Sequence, residues 1–177
     1  MKKFQMYFLA AACCLFVLQS CTKEDVTITE DNSAVEDALR KGNAPAASGQ
    51  GTIDFGAEGK RHFSFNAITK KDGSVKGNGV LTYTGGELKI KFNIDCIRVV
   101  GNTAYITGKI TSHSGIPENA GRDCLFVAID NGEGTNADPD ILSGFYTSIE
   151  GGDFDCNIDY GGIAYFEVLE GNIQVSE

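Results

Sequence analysis

Tryptophan is absent from this chain of 177 residues, histidine occurs twice and proline three times, and 15 basic residues face 24 acidic ones. A formal charge of -9 argues against the basic face that nucleic acid requires, so no nucleic-acid partner is expected. His62 and His113 stand in strand-like segments with no Cys, Glu or Asp at metal-ligand spacing, which argues against a zinc site. No Gly-x-Ser-x-Gly elbow and no glycine-rich phosphate loop opening a helix occur, so no catalytic residue is assigned. The apolar stretch from Phe4 to Leu18 is shorter than the roughly 20 residues that span a bilayer. What remains is one ordinary domain, because 42% apolar residues suffice for a core and exclude a wholly disordered chain.

The N-terminus reads as an address. Met1-Lys2-Lys3 is a positive start, the apolar stretch follows, and residues 1–20 have the build of a secretory signal peptide. Leu18-Gln19-Ser20-Cys21 resembles the lipobox of bacterial lipoproteins, which implies diacylglycerol on the Cys21 thiol and cleavage before it. Acyl chains contribute about 0.8 kcal/mol per buried CH₂, so such an anchor holds the protein on a membrane without a transmembrane helix. Thr22 stands where Asp would resemble an inner-membrane retention signal, and Lys23-Glu24-Asp25 resembles the acidic tags of surface-displayed lipoproteins. The resemblance implies an outer-membrane lipoprotein on the periplasmic or cell-surface face. Cleavage removes Lys2 and Lys3 and no acid, leaving 13 basic against 24 acidic residues, or -11.

Residues 21–50 read as the anchor and a flexible tether, within which Ser33-Ala34-Val35-Glu36 has capping-box spacing and allows a short helix over 34–40. From residue 51 to 177 the pattern is that of a β domain. Leu88, Ile90, Phe92 and Ile94 alternate with Lys89, Lys91 and Asn93, and Ala104, Ile106 and Ile110 repeat the alternation. Residues 62–69, 80–84, 124–130, 141–149 and 173–175 are further predicted strands, and glycine-rich turns at 71–74, 84–87 and 100–103 connect neighbouring runs as hairpins. Eight to ten antiparallel strands must close as a barrel or pack as a β-sandwich. Gly77, Gly79, Gly108 and Gly144 interrupt strands and favour bulges and tight coiling, hence the antiparallel β-barrel.

The segments Asp72-Gly73-Ser74-Val75-Lys76-Gly77, Val100-Gly101-Asn102-Thr103-Ala104-Tyr105-Ile106-Thr107-Gly108, Asp130-Asn131-Gly132-Glu133-Gly134 and Gly171-Asn172-Ile173-Gln174-Val175 together resemble a family of secreted bacterial β-domains. The resemblance covers about residues 50–177. It implies a fold and a compartment and brings no activity or catalytic residue.

Two candidate sites follow from the residues. The loop Asp130–Asp140 carries four acids and two asparagines, and Asp130, Glu133, Asn136, Asp138 and Asp140 offer oxygens of the kind calcium takes. Its spacing does not fit an EF-hand, and the competing reading is a solvated hairpin loop with no cofactor. Of the cysteines left after acylation, Cys124 is in register with Phe126 and Ala128 and points into the core, so Cys96 and Cys156 are expected to pair. Phe145, Tyr146, Phe154, Tyr160, Tyr165 and Phe166 crowd among acids near the C-terminus and offer ring faces to a sugar. The expected function is therefore a membrane-anchored, non-enzymatic binding or interaction module with a protein or carbohydrate partner. The alternative is a small-ligand barrel, or an enzyme whose site is assembled from distant strands.

Overall fold

Along β4, Lys89–Val100, the side chains of Ile90, Phe92 and Ile94 are at most 4% exposed, whereas Lys89, Lys91 and Asn93 face solvent. This alternation, repeated from strand to strand, gives the sheet one apolar face that water must not reach. The computed structural model describes residues 44–84, 88–134 and 136–177. The proposed signal peptide, the Cys21 anchor and the helix over 34–40 lie outside the described residues.

The remaining strands are β1 (Ala46–Asp54), β2 (Lys60–Thr69), β3 (Val75–Tyr83), β5 (Thr103–His113), β6 (Asp123–Ile129), β7 (Ile141–Ser143), β8 (Tyr146–Thr147) and β9 (Tyr165–Ser176). Every pairing is antiparallel, and the order β5-β4-β3-β2-β1-β9-β7-β6 closes through an additional β5–β6 ladder. The result is a closed antiparallel β-barrel of eight strands with β8 as an extra strand. Apart from β8, each strand pairs with its predecessor in the chain, so the barrel is an up-and-down meander. The sandwich alternative is thereby set aside, since a sandwich would leave two sheets with open edges.

Several boundaries differ from the sequence reading: β3 begins at Val75 rather than 80 and β9 at Tyr165 rather than 173, and two further differences have a spatial cause. β1 begins at Ala46, inside the stretch assigned to the tether, and pairs along its length with β2 and β9. Ala, Ser and Gly fill its first half, so it carries no alternation to read. The reason is spatial, because a Cβ at Gly49 would lie 2.9 Å from the rings and chains of Phe65 and Ile173. The predicted strand 141–149 is broken at Gly144 and Phe145 into β7 and β8, which add to successive stretches of β6.

Inside the barrel, Phe65 and Phe92 each meet Phe126 edge-on, with ring centroids 5.1 and 5.6 Å apart. Ile53, Ile106, Ile110 and Ile173 complete a layer that is at most 1% exposed. Tight coiling has its cause at Gly108, where any Cβ would strike the carbonyl of Asn93 across the ladder. Beside it Asp95 is the extra residue of a bulge in β4, between Ile94 and Cys96.

β6 is buried on both faces. Cys124, Phe126 and Ala128 face the core, while Leu125 and Val127, on the opposite face by alternation, are also at most 2% exposed. The connection between β8 and β9, residues 148–164, is tied to β4 and β6. That connection is fixed at Cys156 to Cys96, at the Phe154 N–H, which donates to Asp123 Oδ2 at 3.2 Å, and at the Cys156 carbonyl, which accepts from Arg98 Nε at 2.8 Å.

Candidate binding surface

The barrel interior is the first place to look for a site, and it is full. The cavity beside Phe63, Phe65, Phe92 and Phe126 measures about 20 Å³. That is room for about one water, against the several hundred Å³ of a small-ligand pocket. At the mouth above it Arg61 is only 8% exposed. Its guanidinium lies 3.5 Å from the Phe55 ring centroid and 4.3 Å from that of Tyr83, and it pairs with Glu58 at 2.6 Å. Cation–π contact on both faces makes Arg61 a plug for that end of the barrel. Its Nε is buried without a protein partner and lies among the residues lining the small cavity. Arg61 was not singled out from the sequence, because only the return of β2 beside β1 and β3 brings Phe55 and Tyr83 to it.

The structure places Cys96 and Cys156 in a disulfide, with Cα atoms 5.9 Å apart and 60 residues between them. A loop of that length is worth about 4 kcal/mol on the chain-entropy account. Cys124 is the free cysteine among the described residues and is fully buried, as its register implies. Burial pushes its thiol up to about 12, with the charges of Asp95 and Asp123 acting in the same direction.

The acidic loop is held by main-chain donors. Asp130 accepts from the N–H groups of Gly132 at 2.8 Å and Val175 at 3.0 Å. Asp140, 7% exposed, accepts from Asn131 at 2.9 Å and Ile173 at 2.7 Å. Glu133 accepts from the Asn172 side chain at 2.7 Å. Asn136 and Asp138 are exposed. Thus Asp130, Glu133, Asn136, Asp138 and Asp140 are not gathered around a common point. Among the described residues the one cluster of three ligand-type side chains within 4.8 Å is Cys96, Asp155 and Cys156, two of which share the disulfide. Asp130, Glu133 and Asp140 serve as staples to β9.

The C-terminal aromatics also disperse. Phe145 and Phe166 pack against the core, Phe145 lying 5.0 Å from Phe92 and Phe166 lying 3.9 Å from Phe55 between centroids. The Tyr146 hydroxyl accepts from the Ala164 N–H at 2.7 Å and ties down the end of the outer connection. Phe154 and Tyr160 pack on each other within that connection. Tyr165, 47% exposed, is the one left most open, and burial raises its hydroxyl's pKa. His62 accepts from or donates to Thr52 Oγ1 at 2.8 Å, and His113 Nδ1 accepts from the Ile116 N–H at 2.9 Å, so the two histidines occupy separate structural places.

Among the described residues one face is left uncovered and polar. The outer sides of β2, β3, β4 and β5 form rows across the sheet, set by the pairing register. Asn66 lies opposite Asn78, Asn78 opposite Asn93, and Asn93 opposite Lys109. The next row runs Ser64, Val80, Lys91 and Ser112. Around Ser64, Asn78, Lys91 and Thr111 the surface forms a shallow open depression of about 480 Å³. Lys109 pairs with Asp123, which raises the lysine's pKa, and is thereby committed. Lys89 and Lys91 have no ion-pair partner among the described residues, and the side chains of Asn66, Asn78 and Asn93 make no protein hydrogen bond there. The functional argument rests on this geometry, because comparison of the chain with protein-family models, with curated proteins and with solved structures finds no match.

Proposed function

We propose that the protein is a lipid-anchored, non-enzymatic interaction module, carried on the outer membrane and acting through the outer wall of its barrel. The observation that carries this reading is the filled interior: with about 20 Å³ free among the core phenylalanines, a ligand must meet the outside. The lipobox at Leu18–Cys21 and the resemblance to secreted bacterial β-domains support the compartment. A disulfide between Cys96 and Cys156 accords with an oxidising location.

Two measurements test the two halves of the proposal. Cys21→Ala is expected to abolish fatty-acid labelling and membrane retention while leaving the barrel folded, and label still carried by the variant would refute the anchor. For the barrel, the ring resonances of Phe65, Phe92 and Phe126 are expected to stay unmoved by fatty acids and by small aromatic or sugar ligands. Saturable shifts of those core resonances would instead support a small-ligand barrel whose mouth opens at Arg61.

A further inference from the structure

We propose that the outer face of β2–β5 is a docking wall for a linear anionic polysaccharide laid across the strands. This rests on the reading that binding takes place on the outer wall, and it names the partner's chemistry.

Three observations point to that occupant. Charge is divided along the chain, with seven basic and four acidic residues in 44–94 against three basic and fourteen acidic in 95–177. The barrel order puts β2, β3 and β4 on one wall and β6, β7 and β9 on the opposite one, so the division becomes a division of surface. A molecule that is acidic overall thus presents a wall of lysines and neutral amides. On that wall Lys89 and Lys91 are two residues apart on one strand and therefore about 7 Å apart on the same side. An acidic group passing between them would meet two cations that no carboxylate among the described residues neutralises.

Hydrogen-bonding capacity comes next. Each asparagine amide offers two donors and an acceptor, and Ser64, Ser112 and Thr111 offer hydroxyls, the set that complements sugar hydroxyls and ring oxygens. Because Asn66, Asn78 and Asn93 sit on adjacent strands in one register row, they repeat at the strand spacing of about 4.8 Å. A polymer with polar groups at a regular short repeat matches such a row, and a globular protein surface does not.

The third observation excludes a lipid surface as the better fit. The large exposed apolar residues, Val100, Ile116, Ile149, Ile158, Tyr165 and Leu169, all lie away from these rows. The wall offers no side chain to insert among acyl chains, and its one apolar member, Val80, is half-buried.

The test uses the full-length lipidated protein in neutral detergent. Polygalacturonate is expected to bind with an affinity that falls as salt rises, and its fully methyl-esterified form at least tenfold more weakly. Lys89→Ala with Lys91→Ala is expected to weaken polygalacturonate binding at least tenfold, and Asn78→Ala to weaken it further. Lys70→Ala, in the β2–β3 turn, should leave binding unchanged, and all these exposed substitutions should keep the wild-type Tm. Equal binding of the esterified polymer, or unchanged binding by the double variant, overturns the proposal. So does equal binding to phosphatidylglycerol presented in micelles of the same detergent, with loss in the same variants, which assigns the wall to anionic lipid. A change of sedimentation in the variants without a change in polymer binding assigns it to a second copy. Absence of polymer binding overturns the polysaccharide alone, whereas polymer-induced shifts of Phe65, Phe92 and Phe126 overturn the outer-wall reading as well.

Discussion

Cys124 carries a consequence for alkaline stability that its silence as a buried thiol conceals. Folding holds its ionisation near 12, above an ordinary value of 9.0, because the thiolate would be stranded in the core. The unfolded thiol loses its proton first, so the stability that burial confers is complete below about pH 9 and is lost as the pH climbs toward 12. The slope is at most about 1.4 kcal/mol per pH unit. Denaturant unfolding of the wild type and of Cys124→Ala, followed from pH 8 to 10.5, is expected to give stabilities that converge as the pH rises. Parallel curves would refute the account, since tyrosine ionisation is common to both proteins. The inward aim of Cys124 was legible in the sequence, because Phe126 and Ala128 share its parity on one strand. Arg61 was not legible, for its two aromatic neighbours are contributed by the loop before it and by the end of the next strand.

Elements tell a similar story about what alternation can carry. β2, β4, β5 and β6 were readable because large side chains mark their inner face at every second position. β1 was missed in its first half, where glycine stands on the inner face to admit rings from β2. The loop between β6 and β7 joins neighbouring strands, and its Asp130 and Asp140 carboxylates meet main-chain N–H groups. Nothing in spacing alone could say that Asp130 and Asp140 would reach β9, over 30 residues away. Asp140→Ala is therefore expected to leave the Ile173 N–H buried without an acceptor and to cost about 1–3 kcal/mol. Urea unfolding measures it, and a loss below half a kilocalorie would mean the staple is idle. If the loop has no ion to gain, millimolar calcium should move the wild-type Tm no more than sodium at equal ionic strength does.

At the scale of the whole molecule, eight strands in one ring leave no strand dispensable. β9 lies between β1 and β7, pairing with β1 from Ala46 opposite Ser176 to Ile53 opposite Val168. A chain ending before Tyr165 is expected to lose its cooperative thermal transition altogether, where removal of an edge strand from an open sheet would only lower it. A sharp transition in that truncated chain, followed by near-ultraviolet dichroism, would contradict closure as the source of cooperativity. The same seam has a bearing on how the protein is made. Synthesis delivers β1 well before β9, yet these two must meet side by side. Until the final dozen residues arrive, the growing meander carries an unsatisfied border on β1, where a neighbouring nascent chain could add itself. Safe manufacture of this barrel therefore depends on shielding its oldest strand until its youngest one appears.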